Sequence, residues 1–399
     1  MEFSVGRASQ RSVATSFREL EPKGTKWHIF SYFAMAGNYV LMMMYTTISG
    51  WMLRYLYLSA NGSFAGLSAG QVKNTFEAVK GDAGQSILWM ALATVLGFGI
   101  CIIGLQRGVE RITKWMMAAL ILVMVALAAN SLFLPGALEG VKFYLLPNFQ
   151  KMAEQGIGNA IYAAMGQAFF TLSLGIGSMS IFGSYIGKER SLTGEALRVT
   201  ALDTFVALMA GLIIFPACSA FGVAADSGPG LIFITLPNVF NSMPGGRLWG
   251  SLFFLFMSFA ALTTLVAVFE NIVSFGIDLF SWSRKKSVLI SCAAILVLSL
   301  PCALGSSALA GFQPFGPGSA VLDLEDFIVS NNFLPLGSMV FLLFCTTRKG
   351  WGFRAFLEEA DGGLGMKFPR WSRIYVSYIL PLVVVFVFIM GYFDKFFAK

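Results

Sequence analysis

Charge is what this sequence has least of. Asp, Glu, Lys and Arg make up only 12% of its 399 residues, against roughly 25% in a soluble globular chain. So little polar surface cannot cover a folded body in water. Histidine is nearly absent: the single one, His28, sits at the edge of the first apolar run, where an interfacial polar residue belongs. The five cysteines, Cys101, Cys218, Cys292, Cys302 and Cys345, lie in or beside apolar runs without metal-like spacing. They read as packing residues rather than a disulfide framework. A signal peptide is also missing from the pattern. The first apolar stretch begins near residue 29, after a polar and basic leader, and is too long for an h-region. With no nucleophile–base pair, metal cluster or phosphate loop in view, the chain does not read as an enzyme.

What is present is apolar surface. Hydrophobic residues make up 56% of the chain and the mean hydropathy is +0.72, so lipid is the natural solvent. A hydrocarbon core about 30 Å thick asks for about 20 apolar residues per helix. Nine stretches qualify, at 28–58, 85–106, 113–134, 157–186, 194–222, 247–281, 286–308, 324–347 and 371–394. Several exceed 25 residues and must tilt, kink or project. They do not alternate with period two and are too long for barrel staves.

Sorting the basic residues by connecting segment gives an orientation. The leader and every second connection after it hold 20 Lys and Arg, among them Arg107, Lys188, Arg284 and Arg348; the opposite side, which includes Arg247 and Lys399, holds 8. Excess Lys and Arg marks cytoplasmic loops. The N-terminus is therefore expected inside and the C-terminus outside. The net charge of +7 reflects this topology and is no nucleic-acid footprint.

The segment from Gly166 to Gly177 lies mid-membrane yet combines glycines, Gln167, Thr171, Ser173 and the adjacent Phe169 and Phe170. Glycine weakens a helix interior by about 1 kcal/mol relative to alanine. Unwound backbone at membrane depth is tolerated only where it faces protein or a water-filled cavity, and discontinuous helices of this kind build transporter sites. The glycines are equally consistent with close helix packing. Asp203, about three turns before Pro216 in an apolar helix, costs roughly 2.5–3.5 kcal/mol on insertion scales. It either offers a carboxylate to a bound cation or bonds a neighbouring helix. Glu270, followed by Asn271, reads as structural. Thr263 and Thr264, beside Ala260 and Ala261, offer hard oxygens of the kind sodium prefers, although a helical threonine can bond its own backbone.

Five stretches resemble the neurotransmitter:sodium symporter family in its bacterial amino-acid branch. They are GQAFFTLSLGIGSMSIFGSY (166–185), GPGLIFITLPNVFNSMPGG (228–246), FAALTTLVAVFENIVSFGID (259–278), VLDLEDF (321–327) and MMYTTISGW (43–51). The resemblance implies an all-α polytopic membrane protein, forming a single transporter domain over 1–399 with an inverted-repeat fold and a broken central helix. It also implies function. Thr171 and Asp203 match the first sodium site; Ala260, Thr263 and Thr264 match the second. Tyr45 matches the tyrosine that bonds the substrate carboxylate. Leu41, Phe170, Thr171, Ser173, Ile176, Thr264 and Val268 would line the substrate pocket. Gln167, Phe170 and Asp326 would belong to an outer gate, and Asp278 to an inner one. Ala207 stands where some members carry a polar residue tied to chloride, which argues against a chloride site.

The same resemblance aligns Met1-Glu2-Phe3-Ser4-Val5-Gly6-Arg7 with the end of the family's second helix, leaving 1–27 as a cytoplasmic leader and Asp326 and Asp278 without visible salt-bridge partners. The first helix and most of the second have no counterpart. A start set too far downstream, an inactive remnant, or nine helices working in another way would each explain this. The expected function is sodium-coupled symport of a small, neutral or hydrophobic amino acid across the cytoplasmic membrane. The alternatives are an inactive truncated remnant and a proton-coupled or sodium-independent carrier with Asp203 as proton carrier. The expected partners are the amino acid, sodium ions and the lipid bilayer, with no nucleic acid.

Overall fold

A computed structural model describes residues 1–104, 110–223 and 228–397. Arg107, Lys399 and residues 105–106 of the second expected span lie outside the described residues. Helices α1 (Glu2–Ser9) and α2 (Val13–Leu20) are followed by α3 (Phe30–Ala60), α4 (Ala69–Gly81) and α5 (Ala83–Ile103). Next come α6 (Arg111–Leu132), α7 (Ala137–Leu145), α8 (Phe149–Gln155), α9 (Ile157–Thr171), α10 (Ser178–Ser184) and α11 (Leu192–Ala220). The third group is α12 (Gly228–Gly230), α13 (Leu236–Ser242), α14 (Gly246–Phe280), α15 (Arg284–Leu298) and α16 (Leu300–Ala303). The chain closes with α17 (Val321–Ile328), α18 (Leu334–Thr346), α19 (Phe353–Ala360), α20 (Ser372–Ile374) and α21 (Leu380–Phe396). Among the described residues there is no strand, and one isolated bridge joins Arg190 to Leu364.

Each of the nine apolar stretches is built around helix. Among the described residues, seven runs are long and apolar enough to cross a membrane by length and composition alone: α5, α6, α11, α14, α15 with α16, α17 through α18, and α20 through α21. The other two are α3, whose buried face carries Asn38, Thr46, Thr47 and Ser49, and the pair α9 and α10, divided by a break. Residues 1–27 fold as α1 and α2. The first packs on α10, the second on α3 and α14.

Local chemistry explains many of the boundaries. Ser68 and Gln71 close a reciprocal capping box on α4. Asp82 accepts from the Gln85 N–H at 3.0 Å to open α5, and Ser191 and Ser283 cap α11 and α15.

Among the described residues, three helices widen into a complete π turn: Leu231–Thr235, Val329–Phe333 and Tyr375–Ile379. Each is followed at once by Leu-Pro, at Pro237, Pro335 and Pro381. Proline lacks the N–H of the ladder and its ring collides with the carbonyl four residues back. Here those carbonyls belong to Phe233, Asn331 and Ser377, the middle residue of each wide turn. Widening by one residue relieves the collision without ending the helix.

The core has three parts. One surrounds α3 and α14 and includes Leu41, Ile176 and Val268. A second is rich in aromatics, among them Tyr55, Phe76, Phe233 and Phe254. The third joins α1 and α2 to α18 and α19 through Val5, Phe17, Phe344 and Phe356. Arg7, only 1% exposed, staples this last region. Its Nε meets Glu359 Oε1 at 2.5 Å and its Nη1 donates to the Arg190 carbonyl at 2.7 Å.

Candidate substrate and ion site

The helix interruption expected between Gly166 and Gly177 is present. The α9 ladder stops at Thr171 and α10 starts at Ser178. Between them Ser173, Gly175 and Gly177 have φ of 48°, 90° and 78°, a region glycine enters freely and other residues at a cost. Polar groups freed by the break are met from outside. The Gly175 N–H donates to Glu2 Oε1 at 2.6 Å, and Asn38 Nδ2 donates to the Ile176 carbonyl at 2.7 Å. Asn38 is held in turn by Asn271 Nδ2, at 3.0 Å. Both readings of the glycines prove compatible, because Gly175 also abuts α18. A Cβ at Gly175 would stand 2.3 Å from the Leu334 carbonyl oxygen, and one at Gly337 would stand 1.9 Å from the Gly175 oxygen.

Glu2, Asn38 and Asn271 were not singled out from the sequence. Asn38 could have been found by the criterion applied to Asp203, a polar side chain inside an apolar run. Nothing near Glu2 in the sequence marks it.

At the end of α9, Thr171 Oγ1 donates to Asp203 Oδ1 at 2.8 Å. The two residues matched to one ion site are thus brought together from α9 and α11, leaving three carboxylate lone-pair directions for other partners. Ala260, Thr263 and Thr264 share one turn of α14. The Thr263 and Thr264 hydroxyls donate to the Ala260 carbonyl at 2.9 and 3.2 Å and keep their lone pairs as acceptors.

The apolar residues also converge. Leu41, Ile176 and Val268 are 5%, 0% and 2% exposed, and Phe170 and Tyr45 pack against the same cluster. Ser173 lies in the break itself. Ala207 contributes only its carbonyl, to the Tyr144 hydroxyl at 3.1 Å. A cavity of about 450 Å³ beside the break is lined by Met1, Phe169, Leu174 and Phe341 among others. None of the expected substrate residues lines it.

The two gate aspartates differ. Gln167 and Asp326 are exposed, and Asp326 Oδ1 accepts from Ser330 Oγ at 2.9 Å. Asp278 corrects an expectation: it has a salt-bridge partner, Arg11, at 3.6 Å. Its Oδ2 also accepts from the Ser12 N–H at 2.8 Å and the Ser12 hydroxyl at 2.6 Å. Arg11 belongs to the basic leader and is far from Asp278 in sequence, so spacing alone does not pair the two. Arg11 is more than half exposed, so the ion pair itself is worth about 1 kcal/mol or less. Arg11→Ala is expected to lower the melting temperature in detergent only slightly, and Ser12→Ala more. The reverse order in a thermal melt would contradict this geometry.

Glu270, expected to be structural, accepts from Arg284 Nη1 at 3.0 Å and also bonds Nη2; the Arg284 Nε donates to the Cys101 carbonyl at 2.8 Å. His28 Nδ1 meets Glu21 Oε1 at 2.6 Å at the foot of α3. All five cysteines are free.

Comparison with known proteins supplies the family. A profile described as the sodium:neurotransmitter symporter family matches residues 69–396. The uncharacterized sodium-dependent transporter YhdH of Bacillus subtilis (strain 168) is 32% identical over 97% of this chain and 84% of its own length. The sodium-dependent serotonin transporter of Drosophila melanogaster is 26% identical, over 98% of this chain and 68% of its own. A crystal structure of MhsT in complex with L-phenylalanine superposes with a TM-score of 0.86 at 34% identity, covering 98% of this chain and 87% of that one. A multi-pass bundle with a broken helix and this breadth of similarity have one explanation: the chain belongs to the sodium:neurotransmitter symporter family, a family of membrane transporters and not of enzymes.

Proposed function

We propose that this protein carries a small, uncharged amino acid across the cytoplasmic membrane together with sodium, as one membrane domain over 1–399. The observation that carries this reading is the Thr171–Asp203 contact at the end of the broken helix, one helix turn from an apolar wall. A hydroxyl and a carboxylate are hard ligands suited to sodium. Freed backbone at a helix break supplies further carbonyls of the same kind. Ala260, Thr263 and Thr264 offer a second cluster of oxygens on α14.

Leu41, Phe170, Ile176 and Val268 suit an uncharged side chain and would leave a charged one unpaired. Tyr45 would bond the substrate carboxylate. Sodium binding would order the break and substrate would complete the site, so that neither moves efficiently alone. Gln167 and Asp326 would close the outer side and Asp278 the inner, with the N-terminus cytoplasmic and the C-terminus extracytoplasmic. Ala207 argues against a chloride site.

The experiment is equilibrium binding of radiolabelled L-phenylalanine and other neutral amino acids to the purified protein, with sodium or with potassium. Sodium-dependent binding is expected. Asp203→Asn is expected to weaken sodium affinity about 10- to 100-fold, the worth of one charged interaction of roughly 1.5–3 kcal/mol. Binding that is indifferent to sodium in the unaltered protein would sink the reading. Unchanged sodium dependence in Asp203→Asn would remove this residue from the ion site.

A further inference from the structure

Glu325 is an acid that the proposed symport reaction does not use. It lies one turn into α17 and is only 4% exposed, beside Asp326, which faces outward. Neither carboxyl oxygen reaches a hydrogen-bond donor at normal distance. Here α17 packs against α3 and against α16, the short helix that carries Cys302. Thr46 and Ser299, bonded to one another at 3.0 Å, lie on the same two segments and are fully buried.

An ionised carboxylate here would lack both water and a counter-ion, which makes the charged form very costly. The ionisable neighbours on the packed elements are Cys302, Asp323 and Asp326, and none is a cation. Asp323 is engaged by the Ala320 N–H at 2.7 Å. Lys395 of α21 sits over the Phe315 ring. Among the described residues no Lys, Arg or His forms an ion pair with Glu325. A resident metal ion fits poorly, because among the described residues no group of three or more His, Cys, Asp or Glu is placed to hold one.

We propose that Glu325 is a proton-binding site at the seam between α17, α3 and α16, loaded while α17 is seated against α3. If α17 separates from α3, water reaches the carboxyl group. The O–H bond then breaks heterolytically, the proton passes to water, and the carboxylate left behind can no longer be buried without cost. Seating of α17 therefore depends on pH.

The test needs no transport and does not rest on the symport reading. Infrared spectra of the purified full chain at neutral pH, in water and in deuterium oxide, are compared with those of Glu325→Gln. The expected result is a protonated-carboxyl band that shifts in deuterium oxide and is missing from the variant. An identical carboxyl band in both proteins would overturn the proposal, and so would a band that sodium abolishes, since the site would then take the cation. Should Glu325→Gln fail to fold, Cys302→Ala keeps the acid and alters its surroundings. That substitution must displace the band; an unchanged spectrum would overturn the proposal equally.

Discussion

Arg284→Met is expected to destabilise the detergent-solubilised protein by about 3–5 kcal/mol, the range for removing one partner of a buried ion pair. Glu270 is completely buried, whereas Arg284 keeps a quarter of its side chain accessible. Removing the arginine therefore strands a carboxylate in the interior. It also orphans the Cys101 carbonyl, which Arg284 Nε satisfies at the end of α5. That loss unfastens α5 from the start of α15 as well as from α14. The double variant Arg284→Met with Glu270→Gln removes the stranded charge and should recover much of the stability. Additivity of the two single changes would show that no coupling exists. A chemical or thermal denaturation series on the four proteins measures it, and an Arg284→Met protein as stable as the parent would refute the pairing.

Gly175→Ala is expected to be the most damaging single change in the broken helix. Its φ of 90° is one that other residues adopt at a cost of about 1–3 kcal/mol. The added Cβ would also stand 2.3 Å from the Leu334 oxygen and 2.7 Å from the Ser338 nitrogen. Both obstacles are backbone, so α18 itself has to move, at a further cost of about 1–3 kcal/mol. The Gly175 N–H bond to Glu2 and the Asn38 bond to Ile176 lie on the same six-residue turn. Ligand binding should accordingly fail along with stability. Gly158→Ala supplies the control. It lies in α9 with nothing within 4 Å of its Cβ, and alanine there should stabilise by up to about 1 kcal/mol. A melt and a binding isotherm on both variants test the contrast. Equal behaviour of the two would mean that the break is not held against α18.

The fold was legible in the sequence because lipid leaves a chain few options. Backbone groups inside a bilayer must bond one another, so nine long apolar runs without period two had to be helices. The break was legible for the converse reason, since Gly175, Gly177 and nearby polar residues contradict an uninterrupted span. The Leu-Pro pairs at 236–237, 334–335 and 380–381 carry a subtler signal, that of a helix that widens four residues upstream. The helices between the spans were less visible. Both α4 and α7 are short, and their apolar residues cover one side only.

What the sequence determined by itself was composition at each depth: which segments are apolar enough for lipid, which loops carry the positive charge, and which acids lie where acids are expensive. It identified Asp203, Glu270 and the Thr263–Thr264 pair as residues needing a partner. Only the tertiary structure decided who those partners are. Asp203 meets Thr171 across 32 positions, Glu270 meets Arg284 across 14, Asp278 meets Ser12 across 266, and Gly175 meets Glu2 across 173. The physical reason is that burial is a one-body property, set by the chemistry of each side chain against its solvent. A hydrogen bond or ion pair is a two-body property, fixed by distances of about 3 Å. Helical period says which way a side chain points but not which neighbouring helix stands there.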